Sequence, residues 1–168
     1  MKARSAVVAL AMLAAGCAST GTEPTPIDPL PPTYAAPSPI EGRDWHLTQY
    51  WDQSTLAFGV AETDDVDLTL TCSDGSGWVS LLRDAPDAAP REFRLEAGAD
   101  SGLFVAESEP SMLTDGQILT TEVAADEAVL RSFRSLGWLA SWTGDDREGY
   151  APQPGSEGNI ERFFAACG

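Results

Sequence analysis

The chain has 168 residues and a mass of 17.8 kDa, room for one domain and not two. Ten Lys and Arg face 26 Asp and Glu, a formal net charge of −16, which excludes nucleic acid as a partner because phosphates must be met by clustered cations. Hydrophobic residues make up 43%, so the chain carries a core and is not disordered throughout.

Residues 1–16 read as a signal peptide: Lys2 and Arg4 form a charged start, Ala6 to Leu13 an apolar run, and Ala14-Ala15-Gly16 a small-residue approach to Cys17. The run Leu13-Ala14-Ala15-Gly16-Cys17 resembles the bacterial lipobox, with Ala14 where the commonest lipoproteins carry Leu. The resemblance implies cleavage before Cys17 and acylation of that cysteine, palmitate included, with the membrane as a partner through the lipid. Each buried methylene contributes about 0.8 kcal/mol, so several chains together anchor stably. Ala18, where an Asp would signal inner-membrane retention, implies the outer membrane with the domain in the periplasm. Losing residues 1–16 takes Lys2 and Arg4 from the ten cations, leaves all 26 acids and makes the net −18. No later segment approaches 18 uninterrupted apolar residues.

Residues 17–42 read as the lipidated cysteine and a tether. Seven of the 12 prolines lie here, Pro24, Pro26, Pro29, Pro31, Pro32, Pro37 and Pro39. Proline fixes φ and donates no hydrogen bond, which predicts an extended, solvated spacer reaching up to about 75 Å. A proline-rich ligand for a partner domain is the functional alternative.

Residues 43–168 form the globular domain. Asp44 to Trp51 alternates, with Trp45, Leu47 and Gln49 on one face and His46, Thr48 and Tyr50 on the other. Thr55 to Phe58 is a second short strand. Val66 to Cys72 is apolar at every second position; Ser73-Asp74-Gly75-Ser76-Gly77 supplies turn chemistry, and Trp78 to Leu82 returns as the hairpin partner. After a loop at Pro86–Pro90, strands are predicted at Phe93–Ala97, Gly102–Ala106 and Gln117–Val123, with Pro110 and the Asp115-Gly116 turn between the last two.

The period then changes. In Ala125 to Leu136 the residues Val129, Leu130, Phe133 and Leu136 form a helical stripe, with Asp126 and Glu127 at its start and Gly137 as the stop. Trp138 to Trp142 alternates again, Gly144 to Gly158 reads as a loop, and Ile160, Phe163, Phe164 and Cys167 share one face of a closing helix. The fold class predicted is mainly β: an antiparallel sandwich or open barrel with two short helices near the C-terminus. There is no internal repeat, no β-strand and helix alternation and no Gly-rich phosphate loop.

With Cys17 assigned to lipid, Cys72 and Cys167 remain, both on inward faces of a domain in an oxidising compartment. A disulfide is the reading. A redox pair would sit closer in sequence, as Cys-x-x-Cys, and zinc would lack ligands because His46 is the only histidine. His46 is also the residue that any Ser-His-Asp hydrolase would have to use, but no Gly-x-Ser-x-Gly elbow accompanies it. A half-exposed strand position is the simpler reading. Asp64-Asp65-Val66-Asp67 and Asp145-Asp146-Arg147-Glu148 lack the spacing of a calcium loop and read as solvated turns. Trp45, Trp51, Trp78, Trp138 and Trp142 could line a sugar or peptidoglycan site, but aromatics on alternating strands are more often core, which predicts Trp78 and Trp138 as buried. No catalytic residue, metal or cofactor is expected.

Trp51, Ala57-Phe58-Gly59, the strand ending in Cys72, Val79 to Arg83, Ala125-Asp126-Glu127 before Phe133, Gly137-Trp138-Leu139 and Ile160 to Cys167 follow one another in an order that resembles small uncharacterised alphaproteobacterial envelope lipoproteins. The resemblance spans about residues 45–167 and implies a β-rich domain with a Cys72–Cys167 bridge, but no activity. Ser101-Gly102-Leu103-Phe104 resembles more weakly the Ser-Gly-x-x-Tyr loop of membrane-bound lysozyme inhibitors, with Val105 at the needed Tyr. The functional expectation is a non-enzymatic envelope lipoprotein presenting an acidic β-domain to an envelope protein or to peptidoglycan. An inhibitor of lysozyme or another periplasmic hydrolase is the alternative, and a His46-dependent hydrolase the third.

Overall fold

A computed structural model describes residues 35–112 and 114–168. The expected signal peptide, Cys17 and most of the expected tether lie outside the described residues. The described elements are β1 (Asp44–Tyr50), β2 (Gln53–Gly59), β3 (Val66–Ser73), β4 (Trp78–Pro86), β5 (Glu92–Ala97), β6 (Asp100–Val105), β7 (Glu107–Pro110), β8 (Gly116–Ala124), α1 (Ala128–Leu136), β9 (Leu139–Thr143), β10 (Asp146–Tyr150) and α2 (Glu157–Cys167).

The strands form two antiparallel sheets, the first in the order β1-β2-β3-β4-β8-β7 and the second β10-β9-β5-β6. Neither closes into a barrel. The mainly β expectation with two helices therefore holds. Period-two alternation places Leu56 and Phe58, Leu68, Leu70 and Cys72, Val79 and Leu81, and Leu119 on the buried face of the first sheet. Phe93 and Leu95 do the same for the second. Helix α2 lies on β1, β2 and β3, and α1 on β5 and β6. The stripes Val129, Leu130, Phe133 and Ile160, Phe163, Phe164 thereby complete one core shared by both sheets. Trp45 is at its centre, with ring centroids 5.2 Å from Phe58 and 5.0 Å from Phe133, and its indole N–H donates to the Tyr150 carbonyl.

Arg83 points inward from β4 and ties the two sheets together. Its guanidinium donates to Thr143 Oγ1 at 2.7 Å, to Ser141 Oγ and to the carbonyls of Trp142 and Glu92, and it stacks over Phe93. A buried cation spread over neutral acceptors is costly, and burial drives its pKa down. The bonds hold β4 of the first sheet to β9 and β5 of the second across the core.

Cys72 and Cys167 form the expected disulfide, joining β3 to the end of α2 across a sequence separation of 95. Several boundaries and two burials differ from expectation. Leu136, predicted within the apolar stripe of α1, is 50% exposed at the helix end. Trp78 is 56% exposed, not core, because Val79 and Leu81 take the inward parity of β4 and leave Trp78 on the other face. The predicted loop Gly144–Gly158 contains β10, whose inward residue Tyr150 is followed by too few apolar neighbours to show a pattern. Strand β7 is likewise absent from the sequence reading; it lies at the edge of its sheet, where Pro110 is tolerated. Helix α1 begins at Ala128 because Ala125 N–H is already committed to the Gly77 carbonyl and Glu127 is extended.

The described end of the tether is exposed apart from Pro37, which packs against β10: a Cβ placed on Gly149 would lie 2.4 Å from Pro37 Cβ. The described end of the spacer is thus seated on the domain, with the Ala35 carbonyl accepting from Arg147 and the Ile40 carbonyl from Gln153 at 2.6 Å.

Candidate ligand-binding face

The outer face of the first sheet is read by following paired residues across the strands. One row runs Thr48, Thr55, Thr71, Ser80 and Glu122. The next, toward the end of the sheet, runs Tyr50, Gln53 and Ser73. Trp78 continues this row, two residues before Ser80 on β4. The face therefore has a floor of hydroxyl, amide and carboxylate groups bordered at one end by aromatic rings. Tyr50 is 72% and Trp51 87% exposed, their rings 5.9 Å apart.

Trp51 sits in the two-residue loop between the paired residues Tyr50 and Gln53. Its φ is 57°, in the left-handed region; among described non-Gly residues only Glu62 shares that feature. This first loop position ordinarily holds Gly or Asn, because a Cβ there crowds the following carbonyl. The turn is nevertheless braced. Asp74 N–H donates to the Asp52 carbonyl at 2.8 Å, and Ser54 Oγ donates to the Asp74 carboxylate at 3.0 Å. The β3–β4 turn is fixed in its turn by Gly75 N–H to the Ala166 carbonyl and Gly77 N–H to the Cys167 carbonyl. The disulfide, one residue behind Ser73, locks the same end of the sheet to α2.

Two open depressions lie here. One, of about 490 Å³, is lined by Gln53, Thr71, Ser73, Ser76, Trp78, Ser80 and Glu122. The other, of about 380 Å³, is lined by Tyr50, Trp51, Asp52, Gln53 and Ser73. They share Gln53 and Ser73, so they form one groove running from β1 to β4. Neither contains a Lys or Arg.

The other sequence candidates lie elsewhere. His46 is on the same outer face but further along β1, its Nε2 3.3 Å from the Gly59 carbonyl. Ser101 to Phe104 lie within strand β6, paired with β5, and not in a loop. The acidic segment 64–67 is not wholly a solvated turn: Asp67 and Asp65 clasp Arg43 at 2.6 and 2.9 Å. Burial pushes the Asp67 carboxyl above its ordinary range, more than Arg43 pulls it back. In the segment 145–148, Arg147 reaches the buried Glu96 at 3.0 Å and covers Trp138. Glu148 accepts from the Tyr150 hydroxyl, which burial holds protonated. Trp138 is buried as expected, and Trp142 donates its indole N–H to Glu96. Among the described residues no group of three or more His, Cys, Asp or Glu is placed to hold a metal ion.

Sequence reasoning missed Tyr50, Trp51 and Trp78 as a group. Two signals pointed to them: the parity of Trp78 against Val79 and Leu81, and an indole in a turn too short to bury it. Comparison of the chain with protein-family models, with curated proteins and with solved structures finds no match.

Proposed function

We propose that the protein is a non-enzymatic lipoprotein, anchored in the outer membrane through acylated Cys17, whose acidic domain binds a ligand on the aromatic end of the first sheet. Trp51 carries this reading. An exposed indole forfeits the hydrophobic burial that ordinarily favours Trp, and a left-handed backbone adds strain of about 1–3 kcal/mol. Neither fold stability nor turn propensity accounts for such a residue, whereas recognition does. The bracing of both turns supports the same conclusion, because a surface held rigid before contact loses less entropy on binding. At a net charge of −18 the body is repelled by anionic head groups, so the acyl chains provide attachment and leave the face free.

The test compares wild type with a Trp51→Asn, Trp78→Ala double variant, each extracted from its native membrane. Intact mass should report a triacylated Cys17 in both. Washed outer-membrane, inner-membrane and detergent-insoluble cell-wall fractions should retain the wild type above the variant in at least one case. An unmodified Cys17 refutes the anchor, and equal retention everywhere refutes the face.

A further inference from the structure

We infer that the ligand of this face is a neutral saccharide chain, an assignment that rests on the binding face proposed above. A sugar ring presents an apolar C–H face together with a rim of hydroxyl groups, and it needs a partner of both kinds. Tyr50, Trp51 and Trp78 offer exposed aromatic rings beside the groove. Its floor offers the Gln53 amide, the hydroxyls of Thr71, Ser73, Ser76 and Ser80, and the Glu122 carboxylate, which together donate and accept as a polyol requires.

Charge narrows the ligand further. The lining holds two acidic side chains, Asp52 and Glu122, and no basic one. A phosphorylated or carboxylated polymer would meet like charge there with no cation to receive it. A peptide added as a strand could pair only at the β1 edge, beside the rings and not over the polar floor, because β2, β3 and β4 are already paired on both sides. A peptide anchored by side chains needs apolar pockets, and this floor is polar. The shape fits a linear chain: Tyr50 to Trp78 spans three strand spacings, about 14 Å.

The probes are neutral oligomers of N-acetylglucosamine and of glucose, titrated calorimetrically into the full mature lipoprotein in a sugar-free detergent, with poly-lysine in a parallel arm. The expected result is saturable binding of at least one oligosaccharide, with equal affinity at low and high salt. Trp51→Asn and Trp78→Ala should each weaken it about tenfold, the loss of one stacked ring. Met112→Ser, at an exposed position beyond β7, should leave it unchanged, and matched urea unfolding curves establish that the variants are folded. Salt-sensitive binding of poly-lysine that requires Trp51, with none of the sugars, overturns the saccharide assignment and keeps the face as a binding surface. Silence of both probes with Trp51-dependent retention on envelope fractions does the same. Silence of both with no such retention overturns the face as well.

Discussion

Two tryptophans six residues apart should respond very differently to replacement. In Trp51→Asn the indole is already 87% exposed, so the area returned to water is on the order of 30 Å², about 0.8 kcal/mol. Losing the edge contact with Tyr50 adds roughly 0.5 kcal/mol. Against this, Asn tolerates the left-handed backbone that a Trp side chain resists, which returns about 1 kcal/mol. The terms nearly cancel, and the variant should unfold within about 1 kcal/mol of wild type. Trp45 is fully buried among Phe58, Phe133 and Tyr150, and Trp45→Ala should cost about 3–5 kcal/mol. Urea unfolding followed by far-ultraviolet circular dichroism separates the two. A loss above about 2 kcal/mol for Trp51→Asn would mean that the indole supports the fold. The argument that its position serves recognition would then fail.

Replacing both Cys72 and Cys167 by Ser reopens a loop with a sequence separation of 95 and should cost about 4–5 kcal/mol in the chain-entropy model; a urea midpoint unchanged by reductant would contradict this. Because burial raises the Asp67 carboxyl in the folded state, the fold binds its proton more tightly than the unfolded chain does. Ionisation at that site therefore costs stability as pH rises through and above the unfolded carboxylate range. Asp67→Asn should thus gain on wild type between acid and neutral pH, and a gain confined to acid pH would reverse the sign. Gly149→Ala should drive Pro37 from β10, because the new Cβ would lie 2.4 Å from Pro37 Cβ. Limited proteolysis should then cut faster near residues 35–42 while the unfolding midpoint of the domain stays in place.

Much of the fold was legible because burial follows parity. Val66 to Cys72 alternates cleanly since one face of β3 meets the core and the other meets water, and the β3–β4 hairpin follows from its turn residues. The stripes of α1 and α2 were equally plain. Strand β10 was hidden because Tyr150 is its only buried residue; Glu148, of the same parity, is exposed and accepts from the Tyr150 hydroxyl. Its other face holds Arg147 and Gly149, whose partners Glu96 and Pro37 come from distant parts of the chain. Trp78 misled because residue type was weighed above register.

Cysteine number and the expectation of an oxidising compartment were enough to pair Cys72 with Cys167, and alternation was enough to make the domain mainly β. These are local or compositional properties, and a chain carries them in its order of residues. The binding face is different. Tyr50, Gln53, Ser73 and Trp78 come from four strands, and they share one surface only because the register of three strand pairings aligns them. That register is settled by which side chains fill the core behind it, with Trp45 at the centre and Arg83 bridging the sheets. Tertiary packing therefore decided which exposed aromatic rings meet on one surface.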